Sequence, residues 1–339
     1  MTLRGPSEDL LLKKVSRTLY LSFAILPKEI KKRLSLGYLI CRAMDSAVDS
    51  SALDNSNKKE ILKSFSEMIF SDPEKLCSQL RAFSSSLPDK WERELLYNFQ
   101  LAADGVSSLS DNEKKNLNTL IKGVAKGMET DLDFFNSSEP KALPCKKDLI
   151  FYCRQIGGVP GIYWHEAYNS WLSGRLGDKE IKKAAYNIGE ALQLTNIVKD
   201  IKEDLLKGRC YFPNEQLEEK GLSAKDLLKK EKFLAFRPIL SHWILRAVDL
   251  LDSSEVFLLA LGKSHFSLRA AVIWPIYWAM DTLHEAAISN PLACKIKIGR
   301  GKIYSAVLNT PSLLLSDSVF QRGYRFRREA VITAISGNL

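Results

Sequence analysis

Residues 181–206 read IKKAAYNIGEALQLTNIVKDIKEDLL, and apolar residues recur through them at three- and four-residue spacing, the period of a helix that buries one face. The same spacing runs through 34–48, 61–70, 95–102, 117–132 and 233–261. Helix breakers fall between these runs: Pro27, Asp72-Pro73, then 84–88, 107–112, 137–144, 174–178, 208–213 and Asn290-Pro291. Alternating strand patterns closed by tight turns are missing, and no internal repeat of fixed period is visible. The expected fold class is all-α: one domain over residues 1–339, a helical bundle around a shared core at about 10–308, with a basic tail at 309–339.

Composition narrows the function classes. Hydrophobic residues make up 45% of the 339 and charged residues 26%, so disorder is excluded as the main state. With 18 Gly and 12 Pro, collagen-like and low-complexity chains are excluded too. The six Cys are scattered without a C-x-x-C pair, which disfavours a zinc knuckle or a disulfide framework and points to a reducing cytoplasm. The net charge of +9 is concentrated in 290–339, where eight basic residues stand against two acidic ones. Such a segment suits an anionic partner, either a phosphorylated substrate or an anionic membrane surface. A nucleic-acid partner is not expected, because only Tyr324 and Phe326 interleave the tail's cations and no binding motif appears. The first residues lack a long apolar run, and 266–280 is interrupted by Arg269 and Pro275 and falls short of the roughly 20 residues that span a bilayer. The expectation is a cytoplasmic chain, peripheral at most. Common cofactor motifs fail as well. Gly262-Lys263-Ser264 lacks the first P-loop glycine (Phe257 stands there), His165-Glu166 and His284-Glu285 lack a second His, and 157–161 follows no strand.

Two stretches carry chemistry. In 38–49, YLICRAMDSAVD, spacings of four, three and four place Tyr38, Arg42, Asp45 and Asp49 on one helix face. In 193–204, QLTNIVKDIKED, spacings of three, four and four align Gln193, Asn196, Asp200 and Asp204. Carboxylates at i,i+4 repel, so an unsolvated pair must gather a cation. Asp carboxylates and an Asn carbonyl are hard oxygen ligands suited to Mg²⁺, which keeps several waters and bridges to substrate phosphates. Two such faces opposed across a bundle would hold Mg²⁺ around a diphosphate and stabilise its departure, with Arg42, Lys199, Lys202 and Arg209 as further phosphate contacts. A single D-x-x-x-D on a helix is more often a solvated stripe, and two faces by spacing alone leave both readings open.

The order of motifs resembles the squalene/phytoene synthases, head-to-head prenyl transferases of the all-α isoprenoid synthase fold. The resemblance runs from about residue 16 to 308. It rests on Ser16-Arg-Thr-Leu-Tyr20, Leu26-Pro27, residues 38–49, Gly127-Met-Glu-Thr-Asp131-Leu132, Tyr152-Cys-Arg-Gln-Ile-Gly-Gly158, and 193–204 running into Gly208-Arg209-Cys-Tyr211-Phe-Pro213. It implies a central active-site cavity in which Asp45, Asp49, Asp200 and Asp204, with Asn196, hold Mg²⁺ and two farnesyl diphosphates. It also implies that Arg42 and Arg209 contact diphosphate, that Tyr38 and Tyr152 stabilise carbocations near the reacting carbons, and that Ser16 and Gln193 line the site. Residues 273–283 and Lys297-Ile-Gly-Arg300 resemble the segment that helps bind NADPH in squalene synthases, so Lys297 and Arg300 are expected at the cofactor's phosphates.

Departures shape the expected product. Phytoene-type members usually open the first motif with two adjacent Asp, whereas this chain has Asp45-Ser46, closer to the Asp-Thr of squalene synthases. Thr18-Leu19 and Ile156-Gly157-Gly158 also differ from the family's usual residues, and the hydrophobic C-terminal anchor of eukaryotic squalene synthases is not seen; the arginines at 322–328 are expected to rest on anionic lipid instead, at about 1 kcal/mol each. The resemblance therefore implies condensation of two farnesyl diphosphates to presqualene diphosphate and NADPH-dependent reduction to squalene. Alternatives are a phytoene or dehydrosqualene synthase, an enzyme that stops at presqualene diphosphate, or a non-catalytic helical scaffold, against which the intact Asp residues speak. Oligomeric state is not readable from these residues.

Overall fold

The structure, a computed structural model, describes residues 6–50, 53–308, 310–311 and 316–337; the remainder of the 309–339 tail lies outside the described residues. The chain clusters into two compact units, 1–132 and 133–339, described in turn.

Among the described residues of the first unit there are helices and connecting turns but no strand. It comprises α1 (Glu8–Ser16), α2 (Tyr20–Ala24), α3 (Lys28–Asp49), α4 (Asn55–Ser71), α5 (Pro73–Ser84), α6 (Lys90–Tyr97), α7 (Gln100–Ser107) and α8 (Asp111–Phe134), whose last turn crosses the boundary. Short polar side chains set the starts: Ser7, Asp54, Asp72 and Asp89 each accept a backbone N–H of the turn that follows. α3, α4 and α7 pack together, and Phe23, Ile40, Met44, Phe65, Phe99 and Ile121 are all buried, with Phe65 and Phe99 edge to face at 5.5 Å. The single helix expected over 95–102 is two. The Asn98 side chain donates to the Glu94 carbonyl, ending α6 before α7 begins, as Asn does when it competes with the backbone for hydrogen bonds.

The second unit is built on α11 (Lys179–Leu206). Around it stand α9 (Lys146–Cys153), a π-helical turn (Arg154–Gly158), α10 (Val159–Trp171), α12 (Asn214–Glu218), α13 (Phe233–Leu251), α14 (Ser254–Ala260), α15 (Phe266–Ile288), α16 (Arg300–Leu308) and α17 (Asp317–Ser336). α11 packs against α9, the π turn, α10, α13, α14 and α15. The approach to the π turn is backbone to backbone, since a Cβ on Gly157 would lie 2.1 Å from the Gly189 carbonyl oxygen. No strand was expected, yet β1 (Lys141–Leu143) and β2 (Arg209–Pro213) form a two-stranded parallel pair. Both come from segments read only as helix breakers, and both are too short to show an alternating pattern.

The helix expected over 233–261 breaks at Asp252-Ser253, where the Asp252 carboxylate accepts from Tyr324 and Arg328 of α17. α15 runs on through Arg269 and Pro275. Its Arg269 is fully buried, donating to the Leu258 carbonyl at 2.9 Å and to Asp317 at 2.7 Å. No described helix is long and apolar enough to cross a membrane. Within the basic tail, α17 buries Phe320 and Val331, Arg327 stacks over Tyr277 at 4.1 Å and donates to Asp281, and Arg328 pairs with Asp252. Only Arg322 and Arg325 of the four arginines in α17 are exposed, so half of the charge expected to face lipid is bound inside this unit.

Candidate active site

In the first unit, α3 presents Tyr38, Arg42, Asp45 and Asp49 in helical phase, as expected. The Tyr38 hydroxyl donates to the Val15 carbonyl at 3.1 Å and its ring meets Phe23 edge-on at 5.4 Å. Burial pushes its ionisation up to about 12. Arg42 donates to Asp45 at 2.6 Å and makes a close ion pair with Glu92 of α6. Burial works against the guanidinium charge, but the Asp45 and Glu92 carboxylates outweigh it. Asp45 is half-exposed and Asp49 exposed. Ser16 does not reach outward: it is buried, and its hydroxyl donates back to the Leu12 carbonyl at 2.6 Å. The next residue, Arg17, which sequence reasoning passed over, is exposed with φ of +51°, and its charge is felt at Tyr38. A non-glycine residue held in that region stores strain, a feature that gathers at functional sites.

In the second unit, α11 presents Gln193, Asn196, Asp200 and Asp204. Gln193 is half-buried beneath the π turn, since a Cβ on Gly157 would lie 2.7 Å from its own Cβ. Lys199 reaches both Asn196 Oδ1 at 3.3 Å and Asp200 at 3.1 Å, and Lys295 lies 3.9 Å from Asp200 and 2.5 Å from Glu203. Burial opposes the Glu203 charge, but Lys295 outweighs it and holds that carboxyl below its ordinary range. Lys202, expected at phosphate, donates instead to the Ala293 carbonyl at 2.7 Å. After α11, Gly208 turns with φ of +80°, a conformation open to glycine, and delivers Arg209 to the start of β2. Tyr152 stacks on Tyr211 with ring centroids 4.7 Å apart and hydroxyls 3.2 Å apart, and Phe135 meets Tyr211 edge-on at 5.2 Å. Tyr211 lies within a matching motif, but nothing local marks it as a site residue, because its partner is 59 positions away in the chain.

Both faces fit Mg²⁺. Their donors are hard oxygens, and lysine and arginine already stand against them as cations. Among the described residues no group of three or more His, Cys, Asp or Glu could hold a metal ion. Mg²⁺ commonly takes one or two carboxylates and completes its shell with water and substrate phosphate. Lys297 lies in the irregular stretch before α16 and Arg300 opens that helix; both are exposed. A cleft of about 540 Å³ between α4 and α8, lined by Lys59, Lys63, Lys122 and Lys126 among others, contains none of these residues.

The chain belongs to the squalene/phytoene synthase family, whose sequence model matches residues 12–291. A squalene synthase of Cyberlindnera jadinii is 24% identical over 321 residues, 93% of this chain and 69% of that protein. A bifunctional lycopene cyclase/phytoene synthase of Colletotrichum graminicola is 29% identical over 243 residues, 70% of this chain but 39% of that protein. The fold is shared with TcSQS in complex with a ligand, at a TM-score of 0.76, 21% identity and 98% coverage of both chains. It is also shared with a dehydrosqualene synthase bound to a ligand, at a TM-score of 0.61, 21% identity, and coverage of 91% of this chain and 95% of that one.

Proposed function

We propose that this chain is a Mg²⁺-dependent enzyme that condenses two farnesyl diphosphates to presqualene diphosphate and reduces that product with NADPH to squalene. The observation that carries the reading is the pair of cation-gathering acidic faces, Asp45/Asp49 on α3 and Asn196/Asp200/Asp204 on α11, each in helical phase and each accompanied by basic side chains. Bound Mg²⁺ would supply Lewis-acid stabilisation of the departing diphosphates. Arg42 and Arg209 are each proposed as guanidinium donors to diphosphate oxygens. The stacked Tyr152–Tyr211 pair offers aromatic faces and phenol oxygens to allylic and cyclopropyl cations while excluding water that would quench them. The condensation releases one diphosphate and one proton; the reduction adds a hydride from NADPH as the second diphosphate leaves, with Lys297 and Arg300 at the cofactor's phosphates. Ser46 favours squalene over phytoene chemistry. It is buried on α3 at 1% exposure, beside Asp45, where phytoene-type members carry a second Asp.

Incubating the purified protein with farnesyl diphosphate and Mg²⁺, with and without NADPH, and analysing extracted products by mass spectrometry tests the reading. Squalene formed only with NADPH is expected. Dehydrosqualene or presqualene alcohol (after phosphatase) regardless of NADPH would remove the reduction and the roles of Lys297 and Arg300. No turnover of farnesyl or geranylgeranyl diphosphate would overturn the enzyme reading.

A further inference from the structure

Arg42 is gripped from two directions. Its Nη1 meets Asp45 on its own helix at 2.6 Å, and its Nη2 meets Glu92, 50 positions later on α6. The buried Nε finds no acceptor among the described residues, so the two carboxylates alone orient the guanidinium. Glu92 is itself well placed, with a side chain 17% exposed. The Asp89 carboxylate caps the N–H groups of Trp91 and Glu92 at 2.8 and 3.0 Å, and the Trp91 ring receives Lys14 and Lys90 at 5.1 and 5.3 Å. Charge follows the same geometry: Glu92 sets a second carboxylate beside Asp45 against the single positive charge of Arg42.

Resting on the diphosphate chemistry proposed above, we propose that Glu92 is a positioning residue: it holds the Arg42 guanidinium in place for an incoming diphosphate and preserves the negative charge that draws the metal. A guanidinium fixed in advance loses less freedom on binding than one that must be ordered by substrate.

The test compares wild type, Glu92→Gln and Glu92→Asp by binding of Mn²⁺ with inorganic pyrophosphate, followed by electron paramagnetic resonance, and by steady-state kinetics with farnesyl diphosphate. In Glu92→Gln, Mn²⁺–pyrophosphate affinity is expected to fall about tenfold, and KM to rise by a similar factor with kcat changed less. Glu92→Asp keeps the charge but shortens the reach, so it should recover Mn²⁺ binding while KM stays raised. It also serves as the folded comparison should Glu92→Gln be destabilised by the loss of one of the guanidinium's two carboxylates. Wild-type Mn²⁺–pyrophosphate affinity in Glu92→Gln, or in Glu92→Asp a KM restored to the wild-type value, overturns the inference. Because this binding needs no turnover, a tenfold loss in Glu92→Gln supports the inference even where the product assay fails, and equal binding overturns it even where that assay succeeds.

Discussion

Asp204 shows what one residue of the acidic faces does for the molecule. It sits four positions beyond Asp200 on α11, half-exposed, near the buried Cys210 whose thiol is pushed up to about 12 by burial and, in smaller part, by the Asp204 charge. Its carboxylate raises repulsion along its own helix, so removing the charge should leave stability within about 0.5 kcal/mol of wild type. Turnover should behave differently: Asp204→Asn is expected to lower Mg²⁺-dependent product formation by about a hundredfold, the scale seen when one group stabilising transition-state charge is lost. Parallel melting curves and rate measurements check this, and a large loss of stability with unchanged rate would make Asp204 a structural residue. The four Asp residues were legible in the sequence because helical spacing alone aligns them. Glu92 and Tyr211 were not, because each acquires its meaning from a partner 50 or 59 positions away.

At the scale of elements, the C-terminal helix departs most from expectation. A run of arginines reads as a surface tail, yet α17 is tied to α15 by Tyr277 stacked on Phe320, by Arg327 on Asp281, and by the buried Arg269 on Asp317. Arg269 has no route to water, so deleting its carboxylate partner leaves a buried charge uncompensated. Asp317→Ala should therefore destabilise the protein by about 3 kcal/mol, less any relief from the solvent that already reaches Asp317, whereas exposed Arg325→Ala should change stability by under about 0.5 kcal/mol. Urea denaturation midpoints distinguish the two; equal midpoints would mean that α17 contributes little to the second unit. The breaks at Asn98 and Asp252 teach the same lesson. Apolar periodicity continues across both, and a local side-chain hydrogen bond or a contact from a distant helix ends the element.

Across the whole molecule, burial of neutral acids sets the alkaline limit. Tyr38, Cys41, Cys210 and Tyr277 are each pushed up to about 12, chiefly by desolvation. Folded-state ionisation then lies above that of the unfolded chain, near 8.5 for Cys and about 10 for Tyr. The unfolded state releases these protons first, so stability is intact below about pH 8.5 and falls as pH rises toward 12, each group adding a slope of up to about 1.4 kcal/mol per pH unit. Denaturation midpoints in reducing buffer at rising pH check the sign, and a flat profile above about pH 9.5 would contradict it. Helicity, the places of most helices and the carboxylates that share a face are legible in residue order, because those properties follow from a period of 3.6 residues and from local breakers. Packing alone sets Glu92 against Arg42, brings Tyr211 onto Tyr152, turns Ser16 inward, and draws half of the arginines in α17 into ion pairs rather than to the surface. Those outcomes depend on which distant segments burial brings together, and no local period encodes that.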